Sequence, residues 1–148
     1  MPVSRRLLLL LCVSLPAGCG IQTSRAEAEQ IVARHFESIR NRAYQSALAD
    51  YDDQFFSVVP REEWARRLDQ VEAKLGAFQS YAVTNWNVNS KFGTGAGGTY
   101  VTFTCNVAYA KYPAVEQMVL YRPKSGEEFK ILRHGINSEG LFKESPTF

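Results

Sequence analysis

The strongest constraint on the fold is a change of hydrophobic period at Gly76. Before it, Trp64, Leu68, Val71 and Leu75 recur at the three-to-four-residue spacing of one helix face. After it, apolar and polar residues alternate, as they do along half-buried strands. Helical periods first and strand periods last are typical of an α+β fold, in which helices pack on one face of a sheet.

Three N-terminal helices are predicted. A capping-box sequence beginning at Ser24 precedes apolar residues at helical spacing, which predicts a first helix over about 25–41. Residues 42–53 indicate a short second helix, and the apolar stretch 55–59 indicates a brief strand. Pro60 opens the third helix, because proline lacks the N–H that the first helical position leaves unpaired. This helix runs to the change of period, where a glycine can close it.

Four strands follow the helices, with predicted ranges 81–89, 100–110, 115–122 and 127–136. Short connections between them favour an antiparallel meander. The residues of the second strand that we expect to face the core are Val101, Phe103, Cys105, Val107 and Tyr109. Its other face carries Tyr100, Thr102, Thr104 and Asn106. The complete prediction is an α+β fold of three N-terminal helices packed on a curved antiparallel four-stranded sheet.

The N-terminus has the three parts of a secretory signal. Residues 5–6 are both arginine, 7–15 form an apolar run, and 16–18 lead to Cys19 through proline, alanine and glycine. This arrangement resembles the lipobox of bacterial lipoproteins. The resemblance implies that residues 1–18 are a signal peptide and that Cys19 is lipidated, carrying diacylglycerol and palmitate. A plain secretory signal cleaved nearby is the alternative.

The same resemblance predicts where the protein resides. Residues 19–24 would form the lipidated cysteine and a short extended tether, which keeps a domain over residues 25–138 close to the membrane. Gly20, where inner-membrane lipoproteins prefer Asp, favours the outer membrane of a bacterial cell envelope, facing the periplasm. Residues 139–148 form a C-terminal tail with little pattern.

Charge and cysteine content argue against two classes of protein. The chain has 17 Lys and Arg against 15 Asp and Glu, and the excess equals the two arginines of the signal segment. A neutral mature domain gives no support for nucleic-acid binding. With Cys12 removed and Cys19 lipidated, Cys105 is the remaining thiol, so a disulfide framework is excluded. Its place in an alternating strand pattern predicts a small buried side chain and not a nucleophile.

Few residues carry a chemical signal. The histidines are His35 and His134, and no H-x-x-x-H or C-x-x-C pair predicts a metal site, so neither a metal nor a cofactor is expected. Residues 93–98 match G-x-G-x-x-G, but they join two predicted strands, which favours a hairpin loop over a dinucleotide site. The residues that we name as candidates to line a pocket are His35, Tyr51, Trp86, Tyr109 and His134.

The order of elements, in particular the segment from Trp64 to Gly76 followed by four strands, resembles the nuclear transport factor 2-like superfamily of cone-shaped α+β proteins. The resemblance covers about residues 25–138 and is strongest to small bacterial lipoproteins without an assigned function. It implies a cavity between sheet and helices, which some members use for ligands or catalysis, and dimerisation through the sheet in many of them.

Ketosteroid-isomerase relatives combine a carboxylate base with a tyrosine in such a cavity. Here Asp50, Asp52 and Asp53 surround Tyr51, but no motif of those enzymes matches. Carboxylates in a solvated loop are therefore the expectation, and no catalytic residue is assigned.

A non-enzymatic, membrane-anchored module that binds a small apolar ligand or an envelope protein is the favoured function. Two alternatives stay open. A cavity enzyme of the isomerase or dehydratase type would need titratable side chains that converge in one pocket with shifted pKa values. A structural subunit would form a homodimer through the sheet face that carries Tyr100, Thr102, Thr104 and Asn106.

Overall fold

The computed structural model describes residues 19–92 and 97–143, and it places four α-helices before four β-strands. The helices are α1 (Cys19–Arg40), α2 (Tyr44–Ala47), α3 (Asp53–Phe56) and α4 (Arg61–Leu75). The strands are β1 (Phe78–Lys91), β2 (Gly98–Tyr109), β3 (Ala114–Pro123) and β4 (Lys130–Asn137). Short 3₁₀ helices cover Leu48–Asp50 and Glu139–Leu141. The predicted α+β fold is confirmed.

The four strands form one open antiparallel sheet in the order β1-β2-β3-β4, so β1 and β4 are its edges. The register shifts between Val83 and Asn85 on β1 and between Val119 and Leu120 on β3, and such irregularities bend a sheet. At the outer edge of β4, the Asp52 N–H donates to the carbonyl of Ile131 at 2.9 Å. The helical half is thus tied to the last strand by main-chain pairing.

The core lies between the inner face of the sheet and the helices. The five residues of β2 expected to face inward are all buried, which confirms the predicted alternation. Opposite them, α1 contributes Ile31, Val32 and Phe36, and the Phe36 ring stacks on Tyr81 with centroids 4.3 Å apart. Burying one such side chain contributes about 1.5–3 kcal/mol, so this layer holds the two halves together.

The first helix starts earlier than expected. It begins at Cys19, so residues 19–24 are helical and not an extended tether, and their rise is about 1.5 Å per residue. Ser24 is not an N-cap: its hydroxyl accepts a hydrogen bond from Arg122 at 3.2 Å, and Glu27 pairs with the same arginine. Ser24 therefore lies within α1, where its side chain contacts Arg122 of β3 and does not cap the helix.

The brief strand predicted over 55–59 is wrong. The additional helix α3 covers the start of this stretch, which raises the number of helices from the predicted three to four among the described residues. Helix α3 begins after Asp52, whose carboxylate accepts from the Gln54 N–H at 2.9 Å. This cap satisfies an otherwise unpaired donor and favours a helical turn over an extended chain. The second helix is also shorter than its predicted range, because α2 gives way to a 3₁₀ turn at Leu48.

Gly76 ends α4 as expected, with a φ of +89°. A Cβ atom here would lie 2.9 Å from both the Ala110 side chain and the Lys111 backbone nitrogen, so the close approach of the segment after β2 also requires glycine. The predicted signal segment 1–18, the middle of the glycine loop at 93–96 and the last residues, 144–148, lie outside the described residues.

Candidate functional site

A chain of buried polar side chains crosses the centre of the molecule. The Tyr51 hydroxyl lies 2.6 Å from Nδ1 of His134, and Nε2 of His134 lies 2.8 Å from Oε2 of Glu116. The Tyr109 hydroxyl donates to Oε1 of the same carboxylate at 2.7 Å. Three adjacent strands and the segment before α3 thus bring four titratable groups into one continuous chain.

Strand alternation explains why Glu116 lies inside. Ala114, Glu116 and Met118 are successive inward positions of β3, and all three are buried. Met118 pairs with His134 across the sheet, which brings the imidazole within reach of the carboxylate. Period-two geometry therefore forces a charged residue type into the core, where it must find hydrogen-bond partners.

The partners of Glu116 are an imidazole and a phenol. The side chain of His134 has no solvent exposure and that of Glu116 has 2%. Burial, reinforced by the nearby carboxylate, raises the pKa of Tyr109 and of Tyr51, so both phenols stay protonated. With the imidazole proton on Nε2, Nδ1 accepts from Tyr51 while Nε2–H donates to Glu116, and every group of the chain is satisfied. Such an arrangement can relay a proton between the tyrosine and the carboxylate.

Two further polar side chains touch this chain without joining it. His35 is fully buried, and its ring lies edge-on to His134 with centroids 5.3 Å apart, but neither of its nitrogens has a hydrogen-bond partner among the described residues. Burial, and secondarily the proximity of His134, lowers the pKa of His35 well below its ordinary value, so the ring is neutral. The indole Nε1–H of Trp64 is buried near Tyr51 and opposes the rise in the Tyr51 pKa. Among the described residues, however, it has no acceptor at hydrogen-bonding geometry.

The structure brings together four of the five residues named from the sequence: His35, Tyr51, Tyr109 and His134. It does not bring Trp86 to them, because that ring lies on β1 beneath the Arg25 guanidinium, 4.5 Å from its centroid. Sequence reasoning missed Glu116 and Trp64. Glu116 could have been found from the alternation along β3, because it lies between Ala114 and Met118 at every second position and so shares their inward face.

The three aspartates near Tyr51 each have a separate partner. Asp50 is buried against the Arg34 guanidinium at 2.6 Å, Asp52 caps α3, and Asp53 pairs with Arg61 at 2.9 Å. The expectation of solvated carboxylates is thus wrong for Asp50. Its pKa is raised by burial, an effect that Arg34 opposes.

Cys105 is a free, buried cysteine on the inner face of β2. Burial raises the pKa of its thiol to about 12. Because the thiolate is the reactive form, this side chain packs as a small apolar group.

Two open grooves run beside the edge strand β4, and both reach His134 without exposing its imidazole. The first, here called the α4 groove, has a volume of about 370 Å³. Its apolar wall consists of Trp64, Leu68, Val71, Ile136 and Leu141. The second, the α3 groove, has a volume of about 540 Å³ and an apolar wall of Phe55, Val58, Val59 and Leu132. Both volumes are typical of small-molecule sites.

The outer face of the sheet is a different kind of surface. Thr102, Thr104 and Asn106 of β2 lie there, and Asn85 and Asn87 of β1 pair with the two threonines. These amide and hydroxyl groups adjoin Val115 and Val119 of β3, so a partner would meet hydrogen-bonding and apolar groups together.

Within residues 19–92 and 97–143, no three His, Cys, Asp or Glu side chains are arranged to hold a metal ion. In the same part of the chain, no helix combines the length and the apolar character needed to cross a membrane.

Comparison with known proteins supports the fold. No family model and no curated protein matches the chain. A solved structure from Streptomyces avermitilis, assigned to the nuclear transport factor 2-like family with dehydratase activity suggested, is similar with a TM-score of 0.51 at 15% identity. The match covers 80% of this chain and 97% of that protein. The chain therefore has a nuclear transport factor 2-like fold, a fold that hosts both enzymes and binding modules.

Proposed function

We propose that the protein is an envelope lipoprotein, anchored through Cys19, that acts as a non-enzymatic binding module and takes a small apolar ligand in the grooves beside β4. One observation carries the binding proposal: the titratable chain is closed to solvent, whereas apolar grooves open directly beside it. A substrate would have to displace packed side chains to reach His134, but a ligand needs no such rearrangement to enter a groove.

The anchor is tested by membrane fractionation and intact-mass measurement. Cys19→Ala should remove the acyl mass and release the protein from the membrane fraction. Cys12→Ala is the matched control, because it removes a thiol from the predicted signal segment without touching the modified position. An unmodified wild-type chain with Met1 still present would contradict the lipoprotein proposal.

The groove is tested with a neutral apolar probe, decanol, and the full chain reconstituted in phosphatidylcholine nanodiscs. The Trp86→Phe background leaves Trp64, on the groove wall, as the tryptophan reporter. Decanol should shift its emission in a saturable manner after subtraction of empty discs. Val71→Gln, on the groove wall, should weaken this response, whereas Ala73→Gln, exposed on the same helix outside the groove, should not. An unresponsive Trp64 would contradict ligand binding here.

A cavity enzyme of the isomerase or dehydratase type is the second candidate, favoured by the continuous chain from Tyr51 through His134 to Glu116. An imidazole held between a phenol and a carboxylate can act as a general acid or base. The test is water loss from a panel of β-hydroxy carbonyl compounds, followed by absorbance of the conjugated product. Turnover by the wild type that disappears in His134→Asn and Glu116→Gln would favour the enzyme. Wild-type rates equal to those of both variants would reject it for this substrate class.

A further inference from the structure

The charged residues that line the two grooves are all positive. Arg67 and Lys74 lie on the α4 groove, and Arg133 lies on the α3 groove. Among the described residues that line either groove there is no Asp or Glu. An apolar surface bordered by cations alone complements a molecule that is apolar along its body and anionic at its end.

The rim cations can accept such a partner. Lys74 uses one of its three N–H donors on the carbonyl of Leu141 at 3.0 Å, which leaves two for a ligand. Arg67 pairs with Glu63, four residues earlier on α4, and the arginine side chain is half exposed. Exposed helix pairs of this kind are weak, so a bound carboxylate can share the guanidinium.

Trp64 lies on the apolar wall of the groove and is only 7% exposed. Its indole Nε1–H is buried on the side of Tyr51, where it opposes the rise in the Tyr51 pKa. The indole therefore contributes apolar surface to the groove, and the preference for an anion rests on Arg67 and Lys74.

We infer that the α4 groove binds an amphipathic carboxylate, with its apolar body along Leu68, Val71 and Ile136 and its carboxylate near Arg67 and Lys74. This inference rests on the proposed binding function and specifies the chemistry of its ligand. The ligand is a free small molecule, because the groove's volume of about 370 Å³ lies near the lower end of the range for small-molecule sites.

The test compares three probes of equal chain length, decanoate, decanol and decyltrimethylammonium, in the nanodisc assay with Trp86→Phe. Decanoate should bind about tenfold more tightly than decanol, as two exposed ion pairs would provide, and the cationic probe should bind most weakly. Arg67→Gln with Lys74→Gln should abolish the preference for decanoate, so that decanoate and decanol bind this variant equally. Arg66→Gln with Lys111→Gln is the matched control, since it removes two positive charges that lie outside the groove.

The outcomes separate the two proposals. Equal binding of decanoate and decanol would overturn the carboxylate inference while leaving the apolar groove as a binding site. Failure of all three probes would overturn the groove itself. A Trp64 response to phosphatidylglycerol discs without any probe would identify the membrane's own anionic lipid as the ligand and overturn the choice of a free molecule.

Discussion

The molecule buries carboxylates in two different ways. At the periphery, Asp50 and Glu72 are almost fully buried, but each contacts a guanidinium that stays in solvent: Arg34 is 51% exposed and Arg42 is 70% exposed. At the centre, Glu116 is equally buried, yet its partners are an imidazole and a phenol. The peripheral carboxylates are neutralised from the surface, whereas the central one depends on a closed hydrogen-bond chain.

The difference separates buried carboxylates whose partners reach solvent from one whose partners are themselves buried. A guanidinium that reaches in from solvent compensates a buried carboxylate while keeping its own hydration. A polar chain in the core has no such outlet, and replacing it with apolar side chains of similar volume is often neutral or stabilising. Stability alone therefore does not explain why the central chain consists of polar residues, and a chemical role would.

The largest expected effect comes from breaking the central chain. Glu116→Ala should lower the free energy of unfolding by about 3–5 kcal/mol, because it leaves His134 and Tyr109 buried without their shared acceptor. Urea denaturation measures the change. Glu116→Gln keeps an acceptor and the side-chain volume, so it should be milder. A loss below about 1 kcal/mol for Glu116→Ala would mean that the chain is not satisfied as described.

Much of this architecture follows from local pattern. The change of period at Gly76 and the alternation along β2 predict the α+β class and the buried face, because both depend on residues close together in sequence. One error arises from a local cap that was not recognised, at Asp52, and another where a distant group intervenes. Ser24 has the sequence of a cap, but Arg122 takes its hydroxyl, and no local rule contains that contact.

The candidate site was only partly predictable for the same reason. His35, Tyr51, Tyr109 and His134 were identifiable by residue type, but their convergence depends on sheet register. Glu116 was missed because a charged residue in a strand is usually assigned to the solvent face. Only its inward parity within β3, together with the cross-strand partner of Met118, shows that it must lie in the core.

The second prediction concerns His35, which adds a titratable but unpaired ring to the centre. Its folded pKa lies below that of the unfolded chain, so the unfolded state binds more protons and stability falls as the pH drops below about 6.5. His35→Leu removes this dependence. Between pH 6.5 and 5 the variant should gain up to about 2 kcal/mol relative to the wild type, measured by urea denaturation at each pH.

The rings packed on His35 include those of His134 and Tyr51, and both proteins retain these two residues. Parallel pH profiles for the two proteins would contradict a neutral His35. A variant less stable than the wild type at pH 7 would indicate that the ring nitrogens have a partner.

The third prediction concerns the peripheral carboxylates. Asp50→Asn should change the free energy of unfolding by less than about 1 kcal/mol at pH 7, because burial already disfavours the charged form that Arg34 compensates. Thermal and urea unfolding measure it beside Glu116→Gln, the corresponding neutral replacement at the centre. A loss for Asp50→Asn larger than that for Glu116→Gln would reverse the proposed contrast between periphery and centre.

The smallest expected effect on stability lies on the outer face of the sheet, where dimerisation through Thr102, Thr104 and Asn106 stays a prediction. Thr104→Arg should change the free energy of unfolding by less than about 0.5 kcal/mol, since the substitution is made on the sheet face opposite the core. If two copies pair through this face, the same change places like charges opposite each other across the twofold axis and should dissociate them. Native mass spectrometry reports the subunit number, with Lys111→Gln as a control in the β2–β3 connection. A wild-type monomer would remove the dimer from consideration. A dimer that persists in Thr104→Arg would show that its interface lies elsewhere on the molecule.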